Sequence, residues 1–110
     1  MQYNKDMDIE FEWDDNKDAI NYRKHHLHFR DAQYVFCDSN RLERLDCSAG
    51  NYGNEERWQT IGKIGEVIFV VYTERNDRIR LISARLATAK ERRLYNGNGD
   101  FAAEGWDRAF

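Results

Sequence analysis

The sequence predicts an α+β fold, and three observations carry that expectation. Val67–Thr73 and Arg78–Arg85 are apolar, β-branched runs separated by the charged turn Glu74-Arg75-Asn76-Asp77; Asn and Asp tolerate the dihedrals of a tight turn, so the pair reads as a hairpin. Thr88, with Glu91 three residues later, has the capping-box spacing that opens a helix. Ahead of both, the chain from Asp14 to Phe36 has helical rather than alternating spacing. Two helices, a three- to four-stranded antiparallel sheet and a C-terminal helix are therefore expected, in that order.

The elements follow along the chain. Met1–Asp6 reads as a mobile leader, because MDIEFEWD from Met7 has the look of a start. Ile9, Phe11 and Trp13 alternate with Glu10 and Glu12, the pattern of a short edge strand. Asp14 or Asp15 caps a first helix that runs to about His25. Ala19, Tyr22 and His26 fall on one of its faces; Lys17, Asn21 and Lys24 share another. A second, shorter helix spans Phe29 to Phe36, with Phe29, Ala32, Val35 and Phe36 as its apolar stripe. Arg41–Asp46 is a short strand, and the Gly/Asn-rich Ser48–Asn54 is a loop. Arg57–Ile64 is a strand with Trp58, Thr60 and Gly62 on one face, and Gly65-Glu66 turns it into the Val67 strand. The domain is thus expected over residues 7–96, between the leader (1–6) and an acidic, aromatic tail (97–110). Phe101, Trp106 and Phe110 in that tail suggest docking on this molecule or another; a disordered tail is the equal alternative.

A chain of 110 residues is one domain, with a core of modest size. The net charge of −3 conceals segregation. Asp8–Asp18 holds six acids and one lysine, whereas Glu74–Tyr95 holds seven Lys/Arg against three acids. Such segregation speaks of partners, and a cationic strand pair and helix point to an anionic ligand. Two cysteines, Cys37 and Cys47, make no disulfide scaffold, and no apolar run is long enough to span a bilayer. A cytoplasmic protein with no cofactor and no membrane contact is expected. His25, His26 and His28 lack the spacing and the second ligand group of a metal site, so no metal is assigned to them.

The basic stripe carries the chemistry. Strict alternation along Arg78–Arg85 places Arg80 and Arg85 on opposite faces unless a bulge intervenes. The bland reading pairs these arginines with Glu74, Asp77 and Glu91 in a solvated network. The sharper reading is RNA cleavage by attack of a 2′-hydroxyl on its own phosphate. That reaction needs a base, positive charge on the developing phosphorane and a proton for the leaving 5′-oxygen. Glu74 or His25 is the candidate base, Arg75, Arg80 and Arg85 the candidate phosphate clamp, and Tyr95, Trp58 or Tyr72 a stacking platform.

An ordered set of motifs then resembles one family. It comprises FEWD (Phe11–Asp14), Asn16-Lys17, Asn21, Lys24-His25, Phe29, Ala32 and Phe36-Cys37-Asp38, followed by Glu56-Arg57-Trp58, Gly62 and VYTER (Val71–Arg75). Arg78-Ile79-Arg80, ISAR (Ile82–Arg85), Ala87-Thr88, Glu91-Arg92 and Tyr95 complete it. The chain resembles, over about residues 9–96, the BrnT toxins, the ribonuclease halves of BrnT/BrnA type II toxin–antitoxin modules. The resemblance implies a RelE-like fold and an RNA endonuclease that inhibits translation. It also implies a BrnA-type ribbon-helix-helix antitoxin, in a 2:2 complex, through which alone the toxin would meet DNA. Carried onto this sequence, it implies roles for Lys24, His25, Arg57, Glu74, Arg75, Arg80, Arg85 and Arg92. With the residue reading, His25, Glu74, Arg75, Arg80 and Arg85 become the expected catalytic set, and Lys24, Arg57, Trp58, Arg92 and Tyr95 the expected RNA-binding set; cleavage needs no metal. Two rivals stand beside this: a catalytically inactive RelE-like protein-binding module, and a DNA-binding regulator acting alone. Against the latter, the chain has no helix-turn-helix or ribbon-helix-helix pattern.

Overall fold

The computed structural model describes residues 2–4, 9–47 and 55–110; the expected start at Met7, the expected loop at residues 48–54 and part of the expected leader lie outside the described residues. In chain order the elements are β1 (Gln2–Asn4), β2 (Ile9–Glu12), α1 (Asp15–His25), α2 (Phe29–Ala32), β3 (Leu42–Leu45), β4 (Arg57–Ile64), β5 (Glu66–Arg75), β6 (Arg78–Leu86), α3 (Ala89–Tyr95) and β7 (Asp107–Arg108). A 3₁₀ segment, Gln33–Cys37, continues α2, and another, Ala102–Glu104, precedes β7.

The local expectations for β3, β4, β5, β6 and α3 hold. The β5–β6 hairpin turns at Asn76 and Asp77, with φ of 53° and 62°, the paired positive values of a type I′ turn. Thr88 Oγ1 accepts from the Glu91 N–H while Glu91 accepts from the Thr88 N–H, so the capping box is complete. Asp14 is the cap of α1, accepting from the Asn16 and Lys17 N–H groups at 2.8 and 3.1 Å. The second helix, expected through Phe36, is α-helical only to Ala32 and then tightens to 3₁₀.

The sheet corrects the sequence expectation. Among the described residues its order is β1-β2-β6-β5-β4-β3-β7, seven strands rather than three or four, and β2 runs parallel to β6. Sequence reasoning found the strands that meet through short turns. It missed the pairings that bring together residues as distant as Glu12 and Arg80, because nothing local marks them. Gln2–Asn4, expected in a mobile leader, pairs with β2 as β1, so β2 is not the edge over that stretch.

Both faces of the sheet are used. The first carries α2 and the 3₁₀ segment over Phe11, Ile68, Val70, Tyr72, Ile79, Leu81 and Ala84, with α1 held along β6 through Asn21. Gly62 lies under this layer: a Cβ there would stand 2.4 Å from Val35 Cγ2, so only glycine lets the 3₁₀ segment approach β4. The second face carries α3 and the C-terminal segment over Leu42, Ile61 and Phe69, with Leu94 and Trp106 buried among them. The tail therefore docks on its own sheet. Trp106 is 2% exposed, meets Phe69 edge-on and lies under the Arg44 guanidinium at 4.1 Å, while β7 pairs with β3. Of the three tail aromatics, Phe110 stays exposed. No helix among the described residues is long and apolar enough to cross a membrane.

Candidate nucleic-acid interface

The register of β5 against β6 decides the site. Val71 lies opposite Ser83, but Tyr72 lies opposite Leu81, so Ile82 is an extra residue in β6. That bulge shifts the alternation by one. Arg85 (opposite Phe69), Ser83 (opposite Val71), Arg80 (opposite Thr73) and Arg78 (opposite Arg75) consequently share the second face of the sheet. Phe69, Val67 and Val71 pack beneath α3 and the C-terminal segment on that face. Beyond Val71 the same face becomes Thr73, Arg75, Arg78 and Arg80, outside the second apolar cluster. Arg57, opposite Thr73 on β4, and Glu12, beside Arg80 on β2, extend it.

Each of these β5–β6 arginines meets a carboxylate. Arg75 pairs with Glu55 at 2.5 Å, Arg78 with Glu10 at 3.0 Å, Arg80 with Glu12 at 3.7 Å and Arg85 with Glu91 at 2.8 Å. Of the partners expected from sequence only Glu91 is used; Glu74 and Asp77 make no ion pair among the described residues. The pairs are unequal. Arg75–Glu55 and Arg78–Glu10 are more than 40% exposed on both sides, and such pairs contribute about 0.2–1 kcal/mol, so a phosphate displaces the carboxylate at little cost. Arg85 is held more firmly. Both Glu91 oxygens accept from its guanidinium, which also lies over the Phe69 ring at 4.0 Å. Burial pushes the Glu91 carboxyl up, but the hydrogen bonds from Arg85 and Thr88 outweigh it and hold the group below the usual carboxylate range.

The remaining expected residues are dispersed. Glu74 is opposite Ile79 and so projects toward the first face, away from Arg75 and Arg80; with Ile9, Asp77, Arg78 and Ile79 it lines a cavity of about 260 Å³. His25 and Lys24 close α1 and, with Lys17, Ile20, Asn21, Ile82 and Ser83, line a groove of about 160 Å³ along the edge of β6 where β2 has ended. Asn21 builds that groove: its side chain donates to the Ala84 C=O at 2.9 Å and accepts from the Ala84 N–H at 3.1 Å, standing in for a neighbouring strand. Trp58 packs against the first cluster, on the face opposite Arg57. Tyr95 packs in the second cluster and donates its hydroxyl to Asp38 Oδ2 at 2.5 Å; burial and then the Asp38 carboxylate raise its pKa to about 12. Arg92, on α3, donates to the Ala87 C=O and is exposed. The structure thus brings Arg57, Arg75, Arg80 and Arg85 onto one face, sets Lys24 and His25 at the β6 edge, and separates Glu74, Trp58 and Tyr95 from them. Sequence reasoning missed Glu10, Glu12 and Glu55; the alternation of Glu10 and Glu12 with Ile9, Phe11 and Trp13 was the one signal that could have flagged the first two.

This geometry coincides with a family match. Residues 13–91 match the family described as the ribonuclease toxin BrnT of type II toxin–antitoxin systems. The chain belongs to the BrnT ribonuclease toxin family. In fold it is similar to the crystal structure of the Brucella abortus ribonuclease toxin BrnT, with a TM-score of 0.53 and 22% identity, over 73% of this chain and 97% of that one. No curated protein matches it. Membership makes the chain a ribonuclease toxin that acts on RNA and answers to an antitoxin, and it supports the enzyme over the inactive binding module. The BrnT match ends at Glu91, so the buried Trp106 and β7 lie beyond it.

Proposed function

We propose that the chain cleaves RNA without a metal ion, by attack of a 2′-hydroxyl on the adjacent phosphate, on the arginine-bearing half of the second sheet face. The observation that carries this reading is the Ile82 bulge, which aligns Arg78, Arg80 and Arg85 with Arg75 and Arg57 on one surface. Arg80 holds the scissile phosphate, Arg75 and Arg85 flank it, and Lys24, Arg57 and Arg92 guide the backbone. Guanidinium groups suit this work because they offer planar, bidentate donors to phosphate oxygens. Of the two bases expected from sequence, Glu74 projects to the other face, whereas His25 stands at the rim beside Ser83. In this reading His25 exchanges a proton with the leaving 5′-oxygen. Trp58 and Tyr95 keep a stacking role only where a base reaches the sheet margins.

The finer biology belongs to the same proposal. The kinship is RelE-like, the work is cytoplasmic inhibition of translation, and the partner is a BrnA-type ribbon-helix-helix antitoxin in a 2:2 complex that links the toxin to DNA. The domain of residues 7–96 carries the activity, and residues 97–110 stabilise it. The test is end-mapping of RNA cleaved by the purified chain in EDTA. Cyclic 2′,3′-phosphate and 5′-hydroxyl ends are the expected products; cleavage that stops in EDTA, or leaves 5′-phosphates, overturns the mechanism.

A further inference from the structure

Resting on that reading of the reaction, we propose that Glu12 is its base: the Glu12 carboxylate removes the proton of the attacking 2′-hydroxyl while Arg80 holds the phosphate under attack. A nucleotide's 2′-oxygen lies close to the oxygens of its own 3′-phosphate. Base and phosphate clamp must therefore stand side by side, on one surface, without consuming each other's hydrogen-bonding capacity.

Four carboxylates stand beside arginines on this face, and their surroundings separate them. Glu91 has both oxygens occupied by Arg85 and one shared with the Thr88 N–H, so it is a fastener between β6 and α3. Glu55 has both oxygens on the Arg75 guanidinium, and that pair is 45% exposed on each side. Glu10 accepts from Arg78 Nε at 3.0 Å and is equally open to water. Glu12 differs. It lies 3.7 Å from Arg80 Nη1, beyond hydrogen-bond length, and accepts no hydrogen bond among the described residues. Its lone pairs remain available to a hydroxyl proton, and the other donors of Arg80 remain available to phosphate. With side chains 22% and 26% exposed, this pair is also the most shielded of the three whose carboxylates are not tied to α3, which strengthens any interaction made there.

The backbone holds the two groups in place. β2 and β6 pair in parallel with Glu12 beside Arg80. One residue earlier on each strand, Phe11 and Ile79 are buried in the core at 0% and 8% exposure. Rigid strands thus fix the spacing, as a preorganised site requires.

The step balances. The O2′–H proton passes to a Glu12 carboxylate oxygen, the O2′–P bond forms, and the P–O5′ bond breaks. The 5′-oxygen takes a proton from His25 or from water, and Glu12 later returns its proton to solvent. The products are a 2′,3′-cyclic phosphate and a 5′-hydroxyl.

The experiment compares the full-length wild type with Glu12→Gln, which keeps shape and hydrogen-bonding ability but cannot take the proton. Substrates are an RNA oligonucleotide cleaved by the wild type, the same oligonucleotide with a bridging 5′-sulfur at the scissile bond, and a 2′-deoxy version for binding. The expected result is a fall in kcat of about 10²–10⁴-fold with KM little changed and loss of the acidic limb of the pH–kcat profile. The defect should persist on the sulfur substrate, whose leaving group needs no proton, and the 2′-deoxy oligonucleotide should bind as tightly as to wild type. Near-wild-type kcat in Glu12→Gln overturns the proposal. So does rescue by the sulfur leaving group, which makes Glu12 the acid, and so does a defect confined to binding, which makes it a positioning residue for Arg80. Wild-type products without a cyclic phosphate overturn the parent mechanism as well, and are distinguished by appearing before any substitution is made.

Discussion

The two halves of the second sheet face share the same strands and differ in almost everything else. Toward one end, Ile61, Phe69 and Leu42 lie under α3 and Trp106. Toward the other, the same strands carry Arg57, Arg75, Arg78 and Arg80 around the buried Thr73, with Glu12 at the side. Arginine serves both halves in opposite ways. Arg44 lies over Trp106 and donates to Gln59 Oε1 at 2.8 Å, so its charge is spent on packing the tail. Among the described residues Arg80 has a single, long carboxylate contact and keeps most of its donors. The comparison teaches that one arginine on this sheet is taken up in packing the tail while another keeps its donors for a ligand.

The largest effect expected from this division is on stability. Trp106→Ala should cost about 3–5 kcal/mol, the usual penalty for deleting a buried tryptophan. Chemical denaturation reads it; a cost near zero would show that the tail is an appendage that does not hold the covered half. Next comes activity. Arg80→Ala should slow RNA cleavage by about 10²–10³-fold without shifting the denaturation midpoint much, whereas Arg44→Ala should leave cleavage intact and lower stability by about 0.5–1 kcal/mol. Equal losses of cleavage in the two variants would erase the contrast between the halves.

Asn21→Ala tests the edge that borders the arginine-bearing half. It strands the Ala84 N–H and C=O and the Leu27 C=O that Asn21 now satisfies; about 1–3 kcal/mol is expected from the unpaired groups, together with loss of hydrogen-exchange protection at Ala84. Unchanged protection at Ala84 would mean that α1 is held to β6 by other contacts.

The smallest effect concerns Glu91, the fastener between the halves. Its folded pKa is depressed below the unfolded value, so it contributes stability that is fully present above the ordinary carboxylate pKa, about 4, and is lost as pH falls through the lower folded value. Glu91→Gln should therefore lower stability at pH 7 by about 1 kcal/mol and flatten the acid limb of the stability curve. A variant whose stability still falls as steeply as wild type between pH 5 and pH 2, roughly the carboxylate range, would place that pH dependence in other carboxylates.

Some of this molecule was legible residue by residue. The β4–β5–β6 meander, the Asn76-Asp77 turn and the Thr88–Glu91 box are local, and each was signalled by side chains within a few positions of one another. Helix α1 shows where such reading fails. Its sequence set Ala19, Tyr22 and His26 on one face and Asn21 with Lys17 and Lys24 on another; the first three are exposed, and the one buried residue is the polar Asn21. The helix is fixed to a strand edge by hydrogen bonds, and no apolar periodicity records that.

The site divides along the same line. Composition and charge placement by themselves determined that the last strands and α3 are cationic, and the motif order gave the family. Which of those cations share a surface was decided only by tertiary structure. One extra residue, Ile82, reverses the alternation of β6, and a bulge is defined by its partner strand, not by its own sequence. The pairing of β2 with β6 is likewise a contact across most of the chain, and it alone sets Glu12 beside Arg80. Hydrophobic pattern and capping act over a few residues and can be read in a string; register and long-range pairing are settled by what the whole core can bury.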